Sequence, residues 1–347
     1  MITSRPLRSG SGSRDLTVLG FGGAPLGNLF AAISEAQAQA TLDAAWDAGI
    51  RVFDTAPFYG LGLSEERFAR ALAGRPRDEW VLSTKIGRIL EDCAPGDIAQ
   101  TQFVDTPNRN FSYDYSYEGV MRSHEASLKR LKQDRVDILL VHDVDIYTHG
   151  SKDASDARIR DLFDGGGYRA LDELRRTGSV DSIGAGVNEW QVCETLLGLG
   201  DFDCFLLAGR YTLLEQEALD SFLPLCEQRG VGIIIGGPFN SGILATGPIP
   251  GALFQYAPAP PDILAKVARI EAICIGHGVR LIEAALQFVL GHLAVVSVIP
   301  GANSPDQVRA NASLLKARIP PALWSDLKSE GLLRADAPVP SAPPVGN

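Results

Sequence analysis

Residues 51–60 read RVFDTAPFYG, a short apolar run that ends in Asp54 and passes into a polar loop. Similar runs rich in Val, Ile and Leu return along most of the chain, and segments with a helical period separate them. Eight runs are present, at 18–22, 51–54, 80–85, 136–142, 182–186, 204–208, 232–236 and 295–299. This alternation predicts parallel strands joined by helices.

Two segments between the runs carry clear helix signals. Residues 34–48 begin with Ser34, which can cap a helix, and Gln37 stands three residues later. Residues 64–73 open with two glutamates after Ser64, and glycines follow both segments at positions 49 and 74. Both are predicted to be helices.

The fold class depends on choosing between a doubly wound sheet and a closed barrel. The segment GFGGAPLG at 20–27 does not match the GxGxxG pattern that a dinucleotide-binding doubly wound sheet carries after its first strand. Eight strand candidates within 347 residues instead suit a single α/β domain, a (β/α)₈ barrel with long loops on its C-terminal face. We expect the barrel to span residues 1–334, with a disordered Pro-rich tail at 335–347 and with pocket-shaping loops at 86–117 and 238–261.

Composition narrows the classes of function. The chain has 32 Lys and Arg against 42 Asp and Glu, a formal net charge of −10, and it contains no basic run. Nucleic acid and acidic membrane are therefore poor partners, and a small-molecule substrate is expected. The five cysteines show no CxxC spacing, and no stretch has the length of a membrane helix, which predicts a cytoplasmic protein. The oligomeric state is left open.

Ionisable residues follow three successive predicted strands. Asp54 ends the second, Lys85 the third and His142 the fourth, and Tyr59 lies in the loop after Asp54. The C-terminal strand ends of a barrel meet at one face, so these four side chains are expected to converge. A neighbouring ammonium favours the phenolate of a tyrosine, so Lys85 held by Asp54 would lower the pKa of Tyr59. Tyr59 would then exchange a proton while neutral His142 orients a substrate oxygen.

The segments FDTAPFYGLGLSE, STK and LLVHDVD resemble the aldo-keto reductase superfamily, and the resemblance runs from LGFGGAPLG to Asn311. It implies that Asp54, Tyr59, Lys85 and His142 are catalytic and that a nicotinamide cofactor binds in extended form without a Rossmann fold. The implied cofactor-binding residues lie after several strands, with Tyr211 expected to stack on nicotinamide and Asn188 to bind the carboxamide. The full set is Gly23, Asn188, Tyr211, Pro238, Asn240, Ser241, Leu244, Gly301, Asn303, Gln307 and Asn311.

The segment IPGANSPDQVRAN at 299–311 resembles the part of the family that holds the adenosine phosphate. The family often has Lys, Ser and Arg where this chain has Gly301, Ala302 and Gln307. A 2′-phosphate needs charge-assisted donors, so NAD is the expected cofactor, with NADP possible.

Within the family, the chain resembles a bacterial branch of aldose 1-dehydrogenases and pyridoxal 4-dehydrogenases. The first interpretation is NAD-linked oxidation of an aldose hemiacetal of the L-fucose, L-galactose or D-arabinose type at C1 to its lactone. Alternatives are oxidation of pyridoxal to 4-pyridoxolactone, a general NADPH-dependent carbonyl reductase, and a dinucleotide-sensing regulatory subunit. The predicted substrate-binding residues are Phe30, Phe58, Tyr147 and Trp190. The segment HDVDIYTH at 142–149 superficially suggests a metal site, but alternating positions rarely converge on one ion, so no metal is expected.

Overall fold

The computed structural model describes residues 2–10 and 12–340. All eight predicted runs contain barrel strands, although the first strand is shorter than its run. The strands are β1 (Ser4–Ser9), β2 (Gly12–Thr17), β3 (Phe21–Gly22), β4 (Val52–Asp54), β5 (Val81–Ile86), β6 (Arg88–Asp92), β7 (Arg109–Tyr113), β8 (Ile138–His142), β9 (Ser182–Val187), β10 (Cys204–Ala208), β11 (Gly232–Gly236), β12 (Leu253–Phe254), β13 (Ala257–Pro258) and β14 (Val295–Ile299).

Eight of these strands form one parallel sheet that closes on itself. Its order is β3, β4, β5, β8, β9, β10, β11 and β14, so each strand lies beside the next one along the barrel. Parallel bridges from Leu19 to Val298 and from Gly22 to Gly301 join its two edges. The predicted (β/α)₈ barrel is therefore confirmed, and the C-terminal strand ends meet at one mouth.

Helices cover the outside of the barrel. In the first of them Ser34 accepts a hydrogen bond from the backbone N–H of Gln37, as expected, and in the second Gly62 is the N-cap residue. The helices are α1 (Glu35–Asp47), α2 (Leu63–Ala71), α3 (Tyr117–Leu131), α4 (Ile146–His149), α5 (Lys152–Phe163), α6 (Gly167–Arg176), α7 (Trp190–Leu199), α8 (Phe222–Arg229), α9 (Ile243–Thr246), α10 (Pro261–Gly276), α11 (Leu281–Val289), α12 (Pro305–Leu314) and α13 (Pro321–Ser329).

The N-terminal hairpin of β1 and β2 closes the floor of the barrel. Leu7 and Leu16 from the hairpin pack into a fully buried apolar cluster with strand residues that include Val52 and Ile138. Arg5 ties the hairpin to the far end of the chain, because its guanidinium donates to the carbonyl oxygens of Leu290 at 2.7 Å and His292 at 3.2 Å. The sequence analysis did not identify this hairpin.

Both long loops contain secondary structure of their own. Strands β6 and β7 pair as an antiparallel hairpin inside residues 86–117, and β12 pairs with β13 inside residues 238–261. Both loops lie at the mouth of the barrel, as expected, and contribute residues to its cavity.

The C-terminal segment departs from the predicted disordered tail over residues 335–340. Ala337 is buried, Val339 packs against the core, and the Lys328 ammonium donates to the carbonyl oxygen of Ala335 at 3.0 Å. Residues 335–340 therefore pack on the barrel surface through small apolar side chains. The rest of the predicted tail, residues 341–347, lies outside the described residues.

In the part of the chain that the structure describes, no single helix is long and apolar enough to cross a membrane. Helices α10 and α11 reach that length and composition only as a pair, which is bent by 100°.

Candidate active site

A buried ion pair lies at the mouth of the barrel between β4 and β5. The Lys85 ammonium is 2.9 and 2.8 Å from the two carboxylate oxygens of Asp54, and it donates to the carbonyl oxygen of Thr55 at 2.8 Å. Ser83 donates to the same carboxylate at 2.9 Å. Burial raises the pKa of Asp54, while Lys85 and Ser83 act to lower it. The three donors of the ammonium are thus matched by three acceptor atoms.

Tyr59 is held over this pair by a close crossing of two loops. The Lys85 ammonium lies 4.8 Å from the centre of the Tyr59 ring. Next to Tyr59, Gly60 has a positive φ of 65°, and a Cβ there would lie 2.4 Å from the carbonyl oxygen of Gly27. Only glycine allows the two backbones to approach so closely, so Gly60 fixes the loop that carries Tyr59.

Burial sets the pKa of the Tyr59 phenol. It raises the pKa well above the ordinary value of 10.0, Asp54 and Asp143 raise it further, and Arg88 opposes them. The sequence analysis expected Lys85 to lower this pKa. The Asp54 carboxylate neutralises the Lys85 charge, so desolvation of the phenolate has the larger effect.

His142 is buried at the end of β8 with its ring edge-on to Tyr59, and the two ring centres are 5.9 Å apart. Burial, Arg88 and Lys85 together lower the pKa of His142 well below its ordinary value. The imidazole is therefore neutral at physiological pH, as the sequence analysis expected. Its Nδ1 atom has no hydrogen-bond partner among the described residues.

A second buried ion pair, absent from the sequence analysis, lies beside His142. Arg88 is 3% exposed, and its Nη2 atom is 2.9 Å from Oδ2 of Asp143. The same Oδ2 atom lies 3.4 Å from Nε2 of His142, and the other oxygen of Asp143 accepts a hydrogen bond from the Asn188 amide at 3.1 Å. The only sequence signal for Arg88 is a charged residue two positions after an apolar strand.

These groups open onto a cavity of about 500 Å³, the mouth cavity. Three of the four predicted substrate-binding residues line it, namely Phe30, Phe58 and Tyr147. Trp190 is not among its lining residues, because it begins α7 and packs against the core. The lining is rich in aromatic residues, and those that the sequence analysis did not identify are Phe103, Tyr113 and Tyr256.

A narrow cleft, the side cleft, adjoins the mouth cavity at the ends of β9, β10 and β11. Three of the predicted cofactor-binding residues line it, namely Asn188, Asn240 and Ser241. Gly209 and Gly237 face each other there, and a Cβ on Gly209 would lie 3.7 Å from the carbonyl oxygen of Gly237. Side chains at these two glycines would fill the cleft, so the cleft is shaped to admit an extended ligand. An extended dinucleotide would meet open backbone at these two glycines, whereas the side-chain amides of Asn188 and Asn240 already donate to Asp143 and Gly209.

The structure contradicts the expected role of Tyr211 as a stacking ring. Tyr211 is fully buried and packs on Phe288 with ring centres 5.3 Å apart, so its ring cannot face a ligand in the side cleft. Its neighbour Arg210 lines the cleft instead, donating from Nε to the carbonyl oxygen of Asn188 at 2.7 Å. The backbone after β10 thus directs Arg210 into the side cleft and Tyr211 into the core.

Other predicted cofactor residues are committed to the fold. Gly23 uses its N–H to donate to the carbonyl oxygen of Asp54 at 2.8 Å, and Leu244 is buried in the core. The Asn240 amide donates to Gly209 at 3.0 Å and to Glu215 at 2.9 Å, so it supports the cleft from behind. Pro238 is buried beside this turn.

The segment expected to bind adenosine begins helix α12. Ser304 caps this helix by accepting from the N–H of Gln307, and the Gln307 side chain accepts from the N–H of Asn303 at 2.9 Å. Gly301 is exposed and Asn311 is largely buried. Arg309, on the same helix, pairs with Asp306 at 2.6 Å, so its charge is already balanced.

The residues of the HDVDIYTH segment serve other contacts. His149 contacts the carbonyl oxygen of Asp143 through Nε2 at 2.9 Å. Within residues 2–10 and 12–340, no group of three or more His, Cys, Asp or Glu side chains has the arrangement to hold a metal ion. A larger cavity of about 810 Å³ lies at the barrel floor, beside Arg5 and Lys316, and none of the four expected catalytic residues lines it.

Comparison with known proteins agrees with this geometry. Residues 18–330 match the model of the aldo/keto reductase family. The chain is 43% identical to a pyridoxal 4-dehydrogenase of Microbacterium luteolum, over 92% of this chain and 95% of that protein. It is 37% identical to a D-threo-aldose 1-dehydrogenase of a Pseudomonas species, over 96% of this chain and 99% of that protein. The holo form of an aldo-keto reductase from Bacillus halodurans superposes with a TM-score of 0.72 at 25% identity, over 97% of this chain and 98% of that one. The chain belongs to the aldo/keto reductase family of NAD(P)-dependent oxidoreductases.

Proposed function

We propose that this enzyme oxidises a cyclic hemiacetal to a lactone and that Tyr59 handles the proton. The observation that carries the proposal is that Tyr59 and neutral His142 border one aromatic cavity beside the Asp54–Lys85 pair. When bound, the dinucleotide supplies the hydride-accepting chemistry. The carbinol carbon loses a hydride, its hydroxyl loses a proton, and the carbonyl of the lactone forms.

Each of the four residues has a distinct part in this proposal. His142 donates or accepts a hydrogen bond at the substrate oxygen, and its neutrality lets it do so without carrying charge. Tyr59 takes the hydroxyl proton, which requires its phenolate form. The Lys85 ammonium lies beside the Tyr59 ring, and its ion pair with Asp54 keeps it in a fixed position.

Pyridoxal is the favoured substrate within this class. The mouth cavity is lined by the rings of Phe30, Phe58, Phe103 and Tyr256, which suit a flat aromatic molecule. The 43% identity to a pyridoxal 4-dehydrogenase supports the same choice. An aldose is the second candidate, supported by the 37% identity to a D-threo-aldose 1-dehydrogenase and by the hydroxyl groups of Tyr113, Tyr147 and Thr148 at the cavity.

NAD is the proposed cofactor, because no unpaired cation lies at the start of α12 within the described residues to meet a 2′-phosphate. A cytoplasmic location belongs to the same proposal, since all five cysteines are free thiols.

The test is NADH formation by the purified enzyme, followed at 340 nm with NAD⁺ and pyridoxal, L-fucose, L-galactose or D-arabinose. We expect turnover of pyridoxal with a higher kcat/KM for NAD⁺ than for NADP⁺. Turnover of the sugars but not of pyridoxal would instead indicate an aldose 1-dehydrogenase. If the enzyme oxidises none of the four compounds, the hemiacetal proposal is wrong.

A further inference from the structure

Arg88 carries hydrogen-bonding capacity that the fold does not use. Its Nη2 atom is shared by Asp143 at 2.9 Å and by the Tyr113 hydroxyl at 3.5 Å. Its Nε and Nη1 atoms are buried and have no hydrogen-bond partner among the described residues. Unmade hydrogen bonds of a buried guanidinium are costly, so a native protein that keeps them requires an explanation.

The aromatic neighbours of Arg88 account for only part of its environment. The guanidinium carbon lies 4.2 Å from the centre of the Phe58 ring and 5.2 Å from that of Tyr113. Such rings interact with the faces of a guanidinium, whereas its N–H groups lie in its plane. The rings therefore hold the group in position without satisfying its free donors.

The position of Arg88 relates it to the reacting carbon of a substrate. Arg88 lines the mouth cavity together with Tyr59 and His142. A single oxygen of Asp143 separates Arg88 from His142, being 2.9 Å from the guanidinium and 3.4 Å from the imidazole. Arg88 and His142 therefore border the same part of the cavity, so a substrate whose reacting hydroxyl meets His142 also lies beside Arg88.

We propose that Arg88 is a specificity-determining residue that donates a hydrogen bond to an oxygen substituent close to the hemiacetal carbon. This rests on the proposed function. In pyridoxal that oxygen is the phenolate at C3, two carbons from the hemiacetal carbon, and in an aldose it is the hydroxyl at C2, on the adjacent carbon. The shared requirement is an acceptor oxygen near the carbon that is oxidised, and a cation favours an anionic oxygen over a neutral one.

The experiment compares the wild-type enzyme with Arg88→Met and Arg88→Lys on two matched pairs of substrates. The pairs are pyridoxal with 3-deoxypyridoxal, and D-arabinose with 2-deoxy-D-ribose, which differs from it only by the missing C2 hydroxyl. In the wild type we expect kcat/KM to fall about 10- to 100-fold when the oxygen is removed, as for a hydrogen bond to a charged group. Arg88→Met should lose the same factor on pyridoxal or D-arabinose and change little on the deoxy partner.

Arg88→Lys keeps the positive charge beside Asp143, so it should restore part of kcat/KM on pyridoxal and less on D-arabinose. A loss in Arg88→Met that is equal on both members of a pair would overturn the proposal, because a purely structural role affects all substrates alike. A wild-type enzyme that does not distinguish the members would also overturn it.

Binding of 4-pyridoxolactone to the enzyme–NADH complex, measured by titration calorimetry, repeats the comparison without turnover. We expect Arg88→Met to bind this lactone about tenfold or more weakly than the wild type. Equal affinities would contradict the role of Arg88. A lack of NADH formation by the wild type on every substrate would instead contradict the hemiacetal reaction alone.

Discussion

The two ends of the barrel contain opposite kinds of side chain on the same eight strands. At the floor, Leu7 and Leu16 pack on Val52 and other apolar strand residues. At the mouth, buried Lys85 is the penultimate residue of β5 and buried His142 the last residue of β8, and each lies beside a carboxylate. At the floor, removal of apolar surface from water stabilises the folded state. At the mouth, charged groups are held in a desolvated environment, which is costly unless they are paired. Stability and reactivity are thus located at opposite ends of one sheet, and substitutions at the two ends should affect different measurements.

The largest effect is expected from Tyr59→Phe at the mouth. Removing the phenol oxygen removes the proposed proton acceptor, so kcat should fall by about 10² to 10⁴. The dissociation constant for NADH, measured by fluorescence, should stay near that of the wild type because the ring remains. Tyr168→Phe, far from the mouth cavity, is the matched control. A kcat within a few-fold of the wild type would remove Tyr59 from the mechanism.

Leu7→Ala tests the floor. Its side chain is 1% exposed, so truncation should lower the free energy of unfolding by about 2–5 kcal/mol, measured by urea denaturation. The kcat of the folded enzyme should be unchanged, because Leu7 is not among the residues that line the mouth cavity. Leu293→Ala at an exposed position should cost far less. A large change in kcat with unaltered stability would contradict the division between the two ends.

The pH profile of oxidation should reflect the groups at the mouth. Because the pKa of Tyr59 is raised, the phenolate fraction is small at neutral pH and grows as pH rises, so kcat/KM should increase toward alkaline pH. Because the pKa of His142 is lowered, the ring stays neutral and adds no inflection near 6.5. Measuring kcat/KM between about pH 5.5 and 10 checks both directions. A loss of activity centred near 6.5 that His142→Gln abolishes would show that His142 becomes charged there.

The smallest effect is expected from Gln307→Arg, in the segment that is predicted to bind the adenosine end of the cofactor. Gln307 is exposed at the start of α12, and an arginine there would add a donor for a 2′-phosphate. The ratio of kcat/KM for NADP⁺ to that for NAD⁺ should rise a few-fold, since an exposed ion pair contributes about 0.2–1 kcal/mol. Ala310→Arg on the same helix is the control. An unchanged ratio would indicate that the adenosine end of the cofactor lies elsewhere.

Much of this architecture was predictable from sequence. The strands were recognisable because parallel barrel strands are buried on both faces and read as apolar runs. Asp54, Lys85 and His142 were recognisable because each ends such a run, and barrel topology requires those ends to meet.

Other features depend on contacts that no local pattern encodes. Leu7 and Leu16 lie in a polar N-terminal segment, and their burial follows only from the floor that eight distant strands create. Tyr211 and Arg210 are adjacent, so which of them faces the side cleft is decided by the backbone after β10. The role of Arg88 could not be predicted, because it depends on the loop at 86–117 contributing residues to the mouth cavity.

The floor hairpin also constrains the order in which the chain can complete its fold. Arg5 bonds to backbone carbonyls of Leu290 and His292, just before the last strand, β14. On the ribosome the hairpin emerges before the strands that it covers, which are complete only after residue 299 has been made. Until then Leu7 and Leu16 lack part of their apolar partners. Barrel closure is therefore a late folding step that depends on contacts between distant parts of the chain.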